Sequence, residues 1–326
     1  MEIFLFGCKD TSLSVAEFLH KKNIKIHLVT ISKRNAKKND VAGYMDLKAY
    51  KKLFASIYIA EKYNLQSKKD KKYFEKIDDC KVGFCVGWQR LIRYQILRKF
   101  SIGIHGMHGS ARDLPFGKGR SPMNWSLIEG RRHFFTNLFK YTDGVDNGPV
   151  LDTLVFSIQS DDTAETMHYK NTLAMCNIIE KNLTSIIEGK IKYKPQNLNN
   201  GETFYSKRSP SDGIIDWRDD LLNIEKLIRA VAPPFHGAIA FYKGKKIRIF
   251  RAAIFYTDLE NHPFINAKLG EILAIFPSQK FLIKCSGGVI IVHESSPIKL
   301  RDGSVLDQKE TPFKNFKRNE YGFFDL

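Results

Sequence analysis

The chain has 326 residues, 43% hydrophobic and 27% charged, with a formal net charge of +17. That length allows one large domain with a smaller companion, since single cores stop growing near ~250 residues, and no apolar run approaches the ~18 residues that mark a membrane span. Five scattered cysteines without a CxxC spacing argue against a disulfide framework and a zinc site, and point to the cytoplasm. The charge favours a polyanionic partner such as RNA, a nucleotide or an acidic sugar, yet the lysines fall in small clusters ("KRNAKK", "KKDKK", "YKGKKIR") that suit a solvated surface equally well.

The opening "MEIFLFGCKD" has no basic n-region and reads as a first strand ending at Gly7. "TSLSVAEFLHKK" follows with apolar spacings of three and four, which predicts a helix capped by Thr11 or Ser12, and "IKIHLVTIS" is a second buried strand. Strand, helix and strand in that order form a right-handed crossover, so a parallel sheet begins here. It continues through "SIYIA" (strand), "KDKKYFEKI" (helix), "KVGFCVGW" (strand), "QRLIRYQILRKF" (amphipathic helix) and "SIGIHGM" (strand). "FFTNLFKYT" and "PVLDTLVFSI" are strands joined by the turn "DGVDNG". A long helix then runs from Asp161 and Asp162, which suit its N-terminus, to Gly189, which suits its end.

The polar stretch from 191 to 204 reads as a linker. Beyond it the helical pattern "WRDDLLNIEKLIRAVA" precedes short alternating segments, "GAIAFY", "KIRIFRAAIFY", "GEILAIF" and "FLIKCSGGVIIVHESS". The expected architecture is α/β: an open, mostly parallel Rossmann-like sheet over 1–190, a linker over 191–204 and a smaller antiparallel, OB-like β domain over 205–326.

The chemistry narrows by elimination. Gly7 alone follows the first strand, where a dinucleotide fingerprint needs three glycines, and there is no GxxxxGK[ST], GxSxG or HExxH. Ligands of open α/β sheets bind beyond the carboxyl ends of the strands, where "VGW" and "IHGMHGS" emerge. His108 is expected just past a strand in a glycine-rich loop, with Asp146 in a second turn. A carboxylate-supported imidazole can accept a proton from an attacking nucleophile, an effect worth roughly 10²- to 10⁴-fold. Taken singly, His108 also reads as a loop histidine bonded to backbone, and Asp146 as an ordinary turn former beside glycine.

The segment "GMHGS...DLPFGKGRSPMNWSLIEG", followed by "YTDGVDNGPV", resembles the signature of the N10-formyltetrahydrofolate-dependent formyltransferases, which include methionyl-tRNA formyltransferase and the sugar N-formyltransferases. "FCVGWQRLI" upstream, and "KRSPSDGIIDW" and "IRAVAPPFHGAI" downstream, extend the resemblance over most of the chain in the right order. It implies that His108 and Asp146 are catalytic and that the formyl donor N10-formyltetrahydrofolate lies near Trp88, Arg90, Leu91 and Ile92, with Thr142 and Asp143 in the turn that closes over it. It also implies that no metal takes part. The family's catalytic asparagine, two residues before the histidine, is here Gly106, and the loop from His108 to Pro115 is about two residues longer than usual. Losing one oxyanion donor costs ~3 kcal/mol, so a replacement is implied: loop N–H groups, Ser110 or a protonated imidazole. His105 reads as a strand-end histidine, with a contribution to that stabilisation as its alternative.

Two acceptor amines compete. "GKGRSPMNW" resembles the loop of the sugar enzymes, in which Lys118 and Arg120 would meet a phosphate or carboxylate and Asn124 a hydroxyl, with Ser110 also lining the pocket. The expected partner is therefore a nucleotide-linked amino sugar or nonulosonic acid used in surface polysaccharide such as lipopolysaccharide. The positive charge favours initiator tRNA, but the dispersed lysines define no phosphate track. A catalytically silent folate-binding module is a third reading, against which stands the retention of both His108 and Asp146. The C-terminal region could bind tRNA, join subunits of a homodimer or cover the sugar pocket. No membrane partner is expected.

Overall fold

A computed structural model of the chain describes residues 2–77, 80–199, 201–256 and 266–311. Residues 312–326 of the expected C-terminal domain lie outside it. In chain order the elements are β1 (Glu2–Phe6), α1 (Asp10–Lys21), β2 (Lys25–Ile31), α2 (Lys33–Lys38), β3 (Ser56–Ala60), α3 (Lys68–Glu75), β4 (Cys80–Cys85), α4 (Tyr94–Leu97) and β5 (Phe100–Ser110). After these come β6 (Lys118–Gly119), α5 (Pro122–Ile128), β7 (His133–Lys140), β8 (Val150–Ser157), α6 (Ala164–Ile187), β9 (Phe204–Tyr205), α7 (Leu221–Val231), β10 (Ala238–Tyr242), β11 (Lys245–Ile254), β12 (Ile272–Ile275), β13 (Phe281–Cys285) and β14 (Gly288–Ser295). They form two units interleaved in sequence, one of Met1–Lys118, Phe135–Phe156 and Tyr169–Glu202, the other of Gly119–Phe134, Ser157–His168 and Thr203–Leu326.

The first unit holds a seven-stranded sheet in the order β3-β2-β1-β4-β5-β7-β8. The run from β3 to β5 is parallel, and β7 joins β5 antiparallel. Both faces are covered, which is why the inner strands read as continuous apolar runs. In β1, Ile3 and Leu5 pack with Leu19, Phe84 and Ile179 on one side, while Phe4 and Phe6 pack with Phe74, Trp88 and Ile104 on the other. Gly7 permits α1 to sit close on this layer, because a Cβ there would fall 2.4 Å from the Ser12 hydroxyl oxygen. The helix begins at Asp10, ahead of the expected Thr11 or Ser12 cap. Ser12 instead accepts the Lys9 N–H at 3.2 Å and donates to the Val86 carbonyl at 2.7 Å, which ties the ends of β1 and β4 together.

Two expected elements change. "QRLIRYQILRKF" keeps only the four-residue α4, because the Gln89 N–H is taken by the Tyr63 hydroxyl (2.9 Å), the Arg90 guanidinium stacks on the Tyr63 ring (5.0 Å) and Ile92 is drawn into the core. His108 lies within β5 and not in a loop beyond it. The strand runs on to Ser110 because β7 supplies ladder partners for every residue from His105 to Ser110.

The second unit is built on an antiparallel sheet of five strands, β10-β11-β14-β13-β12. Helix α7 is capped by the Asp220 carboxylate, which accepts the Leu222 N–H at 2.8 Å, and its apolar stripe of Ile224, Leu227, Ile228 and Val231 is buried. Trp125 of α5 is fully buried, donates to the Ser206 carbonyl at 3.0 Å and stacks on Tyr205.

Candidate active site

The site grows from the point where β5 outlasts its parallel neighbour. Cys85, the last residue of β4, pairs with Gly106, so β5 continues past β4 for four residues. A register break between Cys80 and Val82 and the left-handed Gly103 (φ 128°) set the strand's parity. Ile104, Gly106 and His108 then share one face, while His105 and Met107 take the other. This is the carboxyl-end crevice that open α/β sheets offer to ligands.

His108 is nearly buried there. Its Nδ1 lies 3.4 Å from Asp146 Oδ2, with side-chain exposures of 8% and 17%, and its Nε2 donates to the Gly117 carbonyl at 2.8 Å. A carbonyl and a carboxylate both accept, so each ring nitrogen faces an acceptor. Directly opposite on β7, Asn137 is fully buried, with its amide leaning on the His108 carbonyl (3.4 Å) and its Oδ1 accepting the Thr153 hydroxyl at 2.8 Å.

Asp146 reaches His108 from the 141–149 turn between β7 and β8, where it holds a left-handed backbone (φ 48°) that Asp tolerates better than most residues. Gln196 secures this turn by donating from Nε2 to the Asp146 carbonyl at 2.7 Å and the Gly148 carbonyl at 2.8 Å. Gly148 has no room for a side chain, since a Cβ would lie 1.6 Å from the Lys140 carbonyl oxygen. Gln196 was missed in the sequence because it falls in the polar 191–204 stretch, where nothing marks it out.

Gly106 is covered by the ring of Tyr141, the nearest ring carbon lying 1.9 Å from where a Cβ would sit. The Tyr141 hydroxyl bonds to the Cys85 thiol. Burial, then the nearby Cys85 and Asp146, hold the Tyr141 phenol well above its ordinary value, and burial pushes the Cys85 thiol up to about 12. Both groups stay neutral. His105, on the opposite face, is buried and bonded to the Tyr193 hydroxyl at 2.7 Å, and burial followed by Lys140 lowers it to about 4. It belongs to a different environment from His108.

The remaining expected residues divide. Trp88 and Ile92 are core side chains, Trp88 edge-on to Tyr63 at 4.7 Å. Leu91 is exposed, as is Asp143, and Thr142 donates to the Asn147 side chain. Arg90 donates to Asn39 Oδ1 at 3.3 Å and faces a cleft of about 400 Å³ whose lining includes Asn39, Lys38, Lys62, Tyr63 and Glu61. That cleft does not include the His108 and Asp146 pair. Ser110 is buried and donates to the Phe116 carbonyl at 2.7 Å, so it ties down the loop and has no proton to offer a ligand.

Lys118 does not face solvent as a phosphate-binding residue must. It is fully buried and its ammonium meets Glu202 at 2.6 Å. Arg120 and Asn124 belong to the second unit. Arg120 is half-buried, its N–H donating to the Tyr205 carbonyl at 2.9 Å. Asn124 is buried and donates to the Ala230 carbonyl at 2.6 Å, joining α5 to α7 where a substrate hydroxyl was expected. Among the described residues no group of three His, Cys, Asp or Glu side chains could hold a metal ion, and no helix is long and apolar enough to cross a membrane.

Residues 2–179 match the family model described as formyl transferase, and residues 207–310 the one described as formyl transferase, C-terminal domain. The bifunctional polymyxin resistance protein ArnA of Wigglesworthia glossinidia brevipalpis is 30% identical over 203 residues, which are 60% of this chain and 31% of that protein. The chain thus spans about a third of that relative's length. An N-formyltransferase from Helicobacter canadensis, solved in complex with folinic acid and dTDP-3-aminofucose, shares the fold with a TM-score of 0.65 at 17% identity, covering 90% of this chain and 99% of that one. HypX from Aquifex aeolicus in complex with tetrahydrofolic acid does so with a TM-score of 0.63 at 16% identity, over 94% of this chain and 45% of that one.

Proposed function

The chain belongs to the formyl transferase family, and from that premise we propose that it transfers a formyl group from N10-formyltetrahydrofolate to the primary amine of an amino sugar, carried on a nucleotide or present as a nonulosonic acid, in the cytoplasm. The single observation that supports this most is the contact of His108 with Asp146 at 3.4 Å across 38 positions of sequence, at the open end of the sheet.

The residues suit the donor. Arg90, Lys38 and Lys62 outnumber Glu61 around one cleft, a net positive setting for the folate's carboxylates, and Leu91 offers an exposed apolar surface. Bound there, the folate supplies an activated formyl group on N10. The amine nitrogen forms a bond to the formyl carbon, and the bond from that carbon to N10 breaks.

His108 accepts the proton that the amine sheds and returns one to the departing nitrogen, so the products are an N-formyl sugar and tetrahydrofolate. To serve as a base, Nε2 must exchange the Gly117 carbonyl for the amine, which makes the 111–117 loop part of the binding event. Asp146 holds the ring through Nδ1 and offsets its positive charge.

The neighbour solved with dTDP-3-aminofucose supports the sugar reading. The test is formyl transfer from the folate to a panel of nucleotide-linked amino sugars, beside charged initiator tRNA. We expect transfer to a sugar amine. Transfer to the tRNA alone, with a KM that rises steeply with salt, would establish the tRNA reading in its place. Folate binding without transfer to any amine would establish the silent module.

A further inference from the structure

Three side-chain positions near His108 offer no donor to the oxygen of the formyl group as it gains negative charge. Ser110 donates to Phe116, the Asn137 side chain is fully buried, and residue 106 has no side chain at all. The space a side chain at 106 would enter is filled by one residue. The Tyr141 ring lies across Gly106, with ring carbons 1.9, 2.4 and 3.1 Å from the Cβ position, the last of these the carbon that bears the hydroxyl. Its hydroxyl therefore stands over the same face of β5 as His108, whose partner Asp146 also acts on it electrostatically. Part of the Tyr141 surface remains exposed, in contrast to Asn137. The backbone fixes this placement, since the Tyr141 N–H donates to the Ile104 carbonyl at 2.8 Å and the ring stacks on Phe139 at 5.5 Å.

We propose that Tyr141 is a catalytic residue of this chain, its hydroxyl donating the hydrogen bond that stabilises the formyl oxygen while the amine bond forms, with Gly106 as the glycine that makes room for the ring. The inference rests on the formyl-transfer reading. Burial holds the phenol well above its ordinary value, so near neutral pH it keeps the proton that a donor needs. The neutral Cys85 thiol keeps its own proton, so in this role its S–H donates to the hydroxyl oxygen and the hydroxyl proton is left for the formyl oxygen.

Tyr141→Phe tests this, because it deletes the hydroxyl and keeps the ring that covers Gly106. Two readouts are used. In the first, infrared difference spectra are taken of a non-transferable 10-formyl folate analogue carrying a ¹³C formyl group. The carbonyl stretch is expected at lower frequency on the parent than on Tyr141→Phe, with both binding the analogue within about threefold of each other. In the second, kcat for formyl transfer falls on the order of 100-fold or more while KM for the amine changes little.

An unchanged stretch together with kcat within threefold of the parent overturns the role of Tyr141 and leaves the folate reading intact. A parent chain that binds no formyl folate at all removes that reading first, and the role of Tyr141 with it.

Discussion

At the scale of single residues, the site depends on two side chains that the chain brings together and one it leaves out. His108→Ala removes the proposed proton acceptor and should lower kcat by 10²- to 10⁴-fold. Asp146→Asn should lower it in the same direction, because the ring loses both its orientation and its counter-charge. Neither change should shift the thermal midpoint by more than a few degrees or alter folinic acid affinity beyond about threefold. Steady-state kinetics beside a thermal melt checks both, and substantial residual turnover in either variant would mean that the pair is not the catalytic one. Gly106 tests a steric argument. Gly106→Ala places a methyl 1.9 Å from a Tyr141 ring carbon, which should destabilise the protein by about 1–3 kcal/mol. In a Tyr141→Ala background the same change should cost almost nothing, and a double-mutant cycle in urea measures the coupling.

At the scale of elements, the site exists because β5 is longer than β4 and because a turn is pinned beside it. Periodicity ended the fifth strand near Met107, since glycines and histidines look like loop; antiparallel β7 carried it on to Ser110. The Asp146 turn has no regular structure of its own and depends on Gln196, which bonds two of its carbonyls. Gln196→Ala should therefore lower kcat by ~10- to 100-fold through misplacement of the carboxylate, with little change in KM. Kinetics at saturating folate checks this, and kcat within twofold of the parent would show that the turn is held without it. The expected helix over 89–100 failed for a related reason. Its apolar spacing was real, but Tyr63 captured the backbone at Gln89 and the side chain of Arg90, and local propensity could not outweigh those tertiary bonds.

At the scale of the whole molecule, one buried histidine couples the fold to acidity. His105 has a folded-state value of about 4 against an ordinary 6.5. The unfolded chain therefore binds the extra proton more readily, and this contribution to stability is complete above pH ~6.5 and lost as the pH falls toward 4. The loss amounts to roughly 3 kcal/mol. Urea unfolding between pH 7.5 and 4.5 should show the decline, and His105→Gln should flatten it. A parent whose stability does not change over that window would rule out the buried neutral imidazole. The net charge of +17 is a separate property. It bears on which anions approach the surface, and it selects no acceptor for the proposed transfer.

What the amino-acid sequence carried by itself was the order of the main sheet strands, the parallel sheet followed by an antiparallel one, and, through the family resemblance, the pairing of His108 with Asp146 that their 3.4 Å contact matches. Apolar periodicity and turn chemistry are local properties, and the motif carrying the pair is contiguous enough to be read. Tertiary structure decided the rest. Lys118 and Asn124 looked like ligands for an anion and a hydroxyl, yet each is buried against a partner that lies 84 or 106 positions away. Gln196 and Tyr141 carry no local signature, and they matter only because of the carbonyls and the bare glycine that folding sets beside them. A side chain's residue type is written in the chain, but the polar group that meets it across the fold is not.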